Sequence, residues 1–166
     1  MAEETLPSKR AMIFWGLFSA GMGLFIMVGA AGVFGIDLHP AEGVPVWIGA
    51  CAGAMFVAGG LALIAQSLAG LKASPDGNIP PDAPTWARWT LPALGLTIAG
   101  GFATIALWVA FGPGPRHFSV VGTFGSDHVN EMLGRGVFGF GALLACAIFV
   151  AFAVRTVKQL LGRDGA

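Results

Sequence analysis

Four stretches without a charged residue, each long enough to cross a lipid bilayer, make up more than half of this chain. They are Ala11–Gly35, Val44–Leu71, Leu91–Phe111 and Gly136–Val154, with 25, 28, 21 and 19 residues. At a rise of about 1.5 Å per residue, a helix over even the shortest stretch is long enough to span the ~30 Å of hydrocarbon in a bilayer. The sequence therefore predicts an all-α integral membrane bundle of four transmembrane helices.

Composition and short connections predict one membrane domain over residues 1–166, with spans at about 11–35, 44–71, 89–112 and 133–160. Hydrophobic residues make up 55% of the chain and charged residues only 11%, which suits a membrane bundle better than a water-soluble domain. The first span is longer than the roughly 7–15-residue core of a cleaved signal peptide, so we expect it to be retained as a helix.

A proline-rich segment joins the second and third spans. Residues 72–88 contain Pro75, Pro80, Pro81 and Pro84, which predicts a non-helical connection along the membrane surface. Pro92 is then expected in the first turn of the third helix, where a missing N–H costs little.

Basic residues are distributed unevenly over the ends and connections. One side of the predicted membrane topology carries seven of them: Lys9, Arg10, Lys72, Arg88, Arg155, Lys158 and Arg163. The other side carries two, Arg116 and Arg135. Because cytoplasmic segments carry the excess of Lys and Arg, both termini are predicted to be cytoplasmic. Including acids, the sides carry 7 − 5 = +2 and 2 − 4 = −2, so we expect no nucleic-acid partner.

The two halves of the chain align as two copies of one helical hairpin. Without gaps, residues 16–35 match 95–114 at seven positions, and residues 43–58 match 136–151 at seven. Such copies would share one orientation and form a parallel repeat. Chance matching between helices rich in Ala, Gly and Val explains the same identities, and both explanations stay open.

Small residues within the spans predict close helix contacts. Of 26 glycines, 17 lie in the four stretches. Lipid supplies no hydrophobic drive for helix association, so helices recognise each other through small residues that let backbones approach. Gly49 and Gly53 form a GxxxG element, and Gly139 lies on a comparable small face. These glycines pack the bundle itself or form a surface for another membrane protein.

The stretches hold little that could perform chemistry. Their polar side chains, besides two cysteine thiols, are Ser19, Gln66, Ser67, Thr97 and Thr104. Proton-coupled transport normally needs an intramembrane carboxylate or imidazole, and a b-type haem needs axial histidines in the bundle. The stretches have neither, so we predict no enzyme activity and no cofactor.

The predicted outer side carries the three histidines and four acidic residues. His128 and Glu131 are spaced i, i+3, so on a helix they would share a face and could ligate a metal together with His117. The alternative is that all three are ordinary solvated residues.

The outer connection before the last span also presents two arginines. Arg116 follows the rigid run Gly112-Pro113-Gly114-Pro115, and Arg135 follows Glu131 at the i, i+4 spacing of a helical ion pair. Arg116 is a candidate for binding a carboxylate or a phosphate, including that of a lipid head group. A structural clamp to a carbonyl or to Glu131 is the other interpretation.

Two motifs in this half of the chain resemble a group of small four-span bacterial membrane proteins of unassigned function. The first, W-x-A-F-G-P-G-x-R-x-F-S, covers Trp108–Ser119, and the second, G-R-x-x-F-G, covers Gly134–Gly139. The resemblance implies a four-helix protein of the bacterial inner membrane and no particular activity. Pro115 stands where the pattern leads us to expect Glu, which removes one candidate partner for Arg116.

Three kinds of function remain for such a chain. The first is a non-enzymatic accessory or scaffold subunit that packs against a larger membrane complex or against itself. The second is a small oligomeric transporter or channel, with Gln66, Ser67, Thr97 or Thr104 along its path. The third is an outer-face ligand- or metal-binding module that uses Arg116, His117, His128 and Glu131.

Overall fold

The computed structural model of this protein describes residues 8–33, 44–71, 79–113 and 127–160. These residues form four helices: α1 (Lys9–Ala30), α2 (Val46–Leu68), α3 (Thr85–Phe111) and α4 (Asp127–Leu160). Each helix is long and apolar enough to cross a membrane. The predicted all-α fold with four transmembrane helices is therefore confirmed.

The chain divides into two compact units. The first contains residues 1–40 and 45–98, and therefore α1, α2 and the first half of α3. The second contains residues 41–44 and 99–166, and therefore the second half of α3 and all of α4. The boundary thus falls inside α3, and each unit has its own internal helix contacts.

Local signals at the ends of α1 and α2 set their lengths. The N–H of Ala11 donates to Ser8 Oγ at 3.3 Å, which caps the start of α1. Gly32 and Gly70, both with φ of +65°, follow the ends of α1 and α2. This left-handed conformation suits glycine and stops a helix. Both helices therefore end three or more residues before the ends of their charge-free stretches. Hydrophobicity predicts which residues lie in lipid, but it does not predict where a helix stops.

The start of α3 corrects the predictions for the proline-rich segment. Thr85 is already helical, so the last four residues of the segment 72–88, which was predicted to be non-helical, belong to α3, and Pro92 lies inside the helix instead of in its first turn. The helix starts after Pro84, whose carbonyl accepts from the N–H groups of Ala87 at 2.9 Å and Arg88 at 3.2 Å. Pro92 leaves the Arg88 carbonyl without its i+4 donor, an omission that membrane helices tolerate.

The predicted span of 133–160 lies within the longer helix α4. The helix begins at Asp127, six residues earlier, and ends at Leu160. Helical hydrogen bonding does not require an apolar environment, so a helix can begin before its chain enters the hydrocarbon. The length of the charge-free stretch therefore underestimates the length of α4.

Candidate functional site

The residues predicted to form an outer-face site lie mostly outside the described part of the structure. Arg116 and His117 belong to residues 114–126, which are not described. His128 and Glu131 lie in the first turns of α4, but their side chains are not described. Arg135 is half-buried in α4. The described residues contain no group of three potential metal ligands. The metal hypothesis and the role of Arg116 therefore remain sequence predictions.

The best-defined site in the structure is the contact between α1 and α2. Gly16, Gly23 and Ala30 of α1 are buried, and so are Gly53, Gly60 and Ser67 of α2. In each helix these residues recur every seven positions. A strict seven-residue repeat keeps one narrow face turned towards a partner helix. We call the six residues the glycine seam.

The backbones of α1 and α2 approach each other closely along the glycine seam. A Cβ atom added at Gly23 would lie 2.5 Å from the Gly53 carbonyl oxygen and 2.7 Å from the Val57 nitrogen. One added at Gly60 would lie 2.6 Å from the Ala20 nitrogen and against the Gly16 carbonyl oxygen. Since Gly16 faces Gly60 and Gly23 faces Gly53, the two helices are antiparallel. The neighbours are backbone atoms, which cannot rotate away, so these positions have no room for a side chain.

The predicted contact residues Gly49 and Gly53 lie against α1 of the same chain. A Cβ at Gly53 would meet the Gly23 carbonyl oxygen at 2.6 Å, and one at Gly49 would meet the Cβ of Ala30 at 2.8 Å. A partner helix that docked on these two residues would have to displace α1. The structure thus gives them a packing role within the chain.

Two serines, one of them the seam residue Ser67, link α1 and α2 by hydrogen bonds. Ser19 Oγ donates to the Phe56 carbonyl at 3.0 Å, and Ser67 Oγ donates to the Lys9 carbonyl at 3.2 Å. Ser67 is only 4% exposed. Both hydroxyls therefore bond one helix directly to the backbone of the other.

The two threonines of α3 bond to their own helix. Thr97 Oγ1 donates to the Ala93 carbonyl at 3.0 Å, and Thr104 Oγ1 donates to the Gly100 carbonyl at 2.8 Å. A hydroxyl that bonds the carbonyl four residues earlier needs no other partner, so it can face lipid. Four of the five polar side chains that the sequence places in the spans thus donate to backbone carbonyls. The fifth, Gln66, is half-buried in the last turn of α2.

The second unit packs in a different way. A Cβ at Gly100 would lie 3.2 Å from the Phe149 ring, and one at the buried Gly139 would lie 3.6 Å from the Phe111 ring. The nearest neighbours of these glycines are phenyl rings and not backbone atoms. Gly139, a predicted contact residue, is therefore covered by a side chain of α3.

The different packing bears on the predicted repeat. At the repeat offsets, Gly23 of the glycine seam corresponds to Phe102, and Gly53 corresponds to Cys146. The contact between Gly100 and Phe149 has no counterpart in the first hairpin, because a Cβ at the equivalent Gly21 would meet no atom within 4 Å. Two copies of one hairpin would be expected to share contacts, so the repeat remains a prediction that the packing does not support.

Sequence reasoning overlooked the glycine seam, although its signal is present. The GxxxG pattern drew attention to Gly49 and Gly53, whereas the seven-residue spacing from Gly16 to Gly23 and from Gly53 to Gly60 marks the interface. A search for glycine at heptad spacing in two consecutive spans would have found it.

Comparison of the chain with protein families, curated proteins and solved structures found no match.

Proposed function

We propose that this protein is a non-enzymatic membrane subunit that packs against a larger membrane complex, or against further copies of itself, as an accessory or scaffold component. The observation that carries the proposal is the use of polar groups in the spans. Ser19, Ser67, Thr97 and Thr104 each donate to a backbone carbonyl, which leaves few groups for chemistry or for a solute path.

A second observation favours a role through the surface of α4. Val137 and Phe140 are exposed by 72% and 71%, and a Cβ added at Gly136 would meet no atom within 4 Å. A glycine that the chain does not use for its own packing, beside large protruding side chains, offers a recess that a side chain of another membrane helix can enter.

The transporter alternative has less support from the described residues. A solute path needs side chains that can exchange partners, and the Thr97 and Thr104 hydroxyls are hydrogen-bonded within α3. Gln66 remains as a polar side chain that is half-buried in its helix. A single amide side chain near a helix end is close to the lipid head groups. That closeness explains its presence more easily than a continuous solute path does.

The proposal includes a bacterial inner-membrane location with both termini in the cytoplasm. The support is the excess of basic residues on one side of the topology, with Lys9 and Arg10 at the start of α1 and Arg155 and Lys158 near the end of α4.

Purification in a mild detergent, followed by mass spectrometry of the intact assembly, tests the proposal. We expect a stoichiometric membrane-protein partner or a defined homo-oligomer, and Gly136→Leu should reduce its retention. Gly59→Leu is the matched control, because a Cβ at Gly59 also meets no atom within 4 Å and lies on another helix. A monomer without a partner under conditions that preserve the fold would contradict the proposal.

A further inference from the structure

We propose that the surface of α1 opposite α2 binds a phospholipid with an anionic head group, with the phosphate at Arg10 and one acyl chain along Phe14 and Leu17 to a notch at Gly21. This inference is independent of the proposed role as a subunit. It requires only that α1 crosses the membrane.

The four residues share one face of α1. They are spaced i, i+4, i+7 and i+11, which places them within about 60° of one another around a helix with 3.6 residues per turn. Arg10 is exposed, and Phe14 and Leu17 are exposed by 63% and 61%. Gly21 lies roughly 160° from Gly23 of the glycine seam, so the stripe faces away from α2.

The notch at Gly21 is open. A Cβ added there would meet no atom within 4 Å, in contrast to Gly23, where it would lie 2.5 Å from the Gly53 carbonyl oxygen. Phe18 and Phe25, three residues before and four residues after Gly21, are exposed by 54% and 49%. The glycine is therefore a gap of one residue between large protruding side chains.

The length of the stripe matches the reach of one lipid chain. Eleven residues separate Arg10 from Gly21, which is about 16 Å along a helix. Half of a hydrocarbon core of about 30 Å is about 15 Å. When Arg10 lies at the head-group level, Gly21 therefore lies near the middle of the bilayer, where the end of an acyl chain lies.

A lipid fits this surface better than a helix does. Close approach of two helix backbones needs small residues that recur along one face, as Gly16 and Gly23 do on the other face. Here Phe14, Leu17 and Phe25 would hold a second backbone away from Gly21. A thin flexible chain can pass between such side chains. The cation at the end of the stripe complements a phosphate, and the guanidinium fork suits two of its oxygens.

The experiment uses the full chain in mild detergent, with dioleoyl phosphatidylglycerol and dioleoyl phosphatidylcholine as probes. The number of retained lipids is measured by native mass spectrometry, and the apparent Tm by thermal unfolding. We expect phosphatidylglycerol to be retained more and to raise the Tm more. Arg10→Gln should reduce its retention about fivefold, to the level of phosphatidylcholine. Gly21→Leu should reduce retention of both lipids, because the leucine side chain fills the notch.

Matched controls separate the site from general effects. Lys158→Gln removes an exposed cation near the end of α4, and Gly141→Leu fills another exposed glycine whose Cβ would meet no atom within 4 Å. Both should bind lipid as the unmodified protein does. Neither Arg10→Gln nor Gly21→Leu should prevent folding, because Arg10 is exposed and the Gly21 position is open.

Three results would overturn the proposal. One is an unchanged preference for phosphatidylglycerol in Arg10→Gln. The second is an equal rise in Tm with inorganic phosphate, since the site would then bind the anion without the chain. The third is a changed oligomeric state in Gly21→Leu with unchanged lipid retention, since the notch would then receive a protein helix.

Discussion

Replacing Gly60 by alanine should destabilise the protein, whereas the same change at the adjacent Gly59 should not. A Cβ at Gly60 would lie 2.6 Å from the Ala20 nitrogen and 3.0 Å from the Ala20 Cβ, and would also press against the Gly16 carbonyl oxygen. A Cβ at Gly59 would meet no atom within 4 Å. Both changes lie at the same depth of α2 and restrict the chain equally. Their difference therefore isolates the contact with α1.

The magnitude follows from how far the helices must separate. Ordinary van der Waals contact begins at 3.4 Å, so the Ala20 nitrogen alone requires a local shift of at least 3.4 − 2.6 = 0.8 Å for a Cβ at Gly60. A gap of about 0.5–1 Å removes roughly a quarter to a half of the attraction at each neighbouring contact. Overpacking of this kind costs about 1–3 kcal/mol. We therefore expect Gly60→Ala to be less stable than Gly59→Ala by about 1–3 kcal/mol.

Reversible unfolding in detergent micelles, followed by tryptophan fluorescence, measures this difference. Gly23→Ala compared with Gly21→Ala repeats the test on α1, where a Cβ at Gly23 would meet the Gly53 carbonyl oxygen at 2.5 Å. The double variant of Gly23 and Gly60 should lose less stability than the sum of its single changes, because one displacement of a stiff helix relieves both contacts. Equal stabilities of Gly60→Ala and Gly59→Ala, within about 0.5 kcal/mol, would refute the close-contact argument.

Three further predictions concern other parts of the chain. Ser67→Ala should reduce the unfolding free energy by about 0.5–1 kcal/mol, because it removes a hydrogen bond between α1 and α2. Thr104→Val should change the unfolding free energy little, because that hydroxyl bonds only its own helix. Chemical unfolding of the two variants measures the difference. Reporter fusions should place Ala166 in the cytoplasm and Ser119 on the opposite side, and a reversed pattern would contradict the predicted topology. Arg116→Lys should impair partner retention or stability nearly as much as Arg116→Ala, since lysine keeps the charge but lacks the guanidinium fork; full rescue by lysine would leave only a charge effect.

The number and type of helices could be predicted from the sequence because they depend on long apolar stretches alone. The helix ends could not, because they depend on single residues. Gly32 ends α1 through its positive φ, and Pro84 precedes the first turn of α3. Neither signal is visible in hydrophobicity. The prediction for Pro92 failed for the same reason, because the apolar stretch was taken as the helix.

Most residues of the candidate outer site lie outside the described part of the structure. The glycine seam was found only in the structure. The sequence does not show whether a single glycine in a membrane span faces another helix of the same chain, a partner or lipid. For Gly49 and Gly53 the sequence left two roles open, packing within the bundle or contact with a partner, and in the structure both lie against α1. The seven-residue spacing favours contact between α1 and α2. Glycines that repeat every seven residues in two consecutive helices can stay opposite one another over several turns.

Gly21 and Gly23 show how one residue type performs opposite tasks two positions apart. A step of two residues turns an α-helix by about 200°, so one glycine faces α2 and the other faces away from it. At Gly23 the missing side chain lets two backbones touch, and any replacement must push them apart. At Gly21 the missing side chain leaves a recess that the chain does not fill, and a replacement there meets nothing. Substitutions at the first therefore act on stability, whereas substitutions at the second act on whatever binds the surface. Measuring both variants for unfolding free energy in detergent without added lipid, and for lipid retention, separates these effects, because each variant should then change only one of the two quantities.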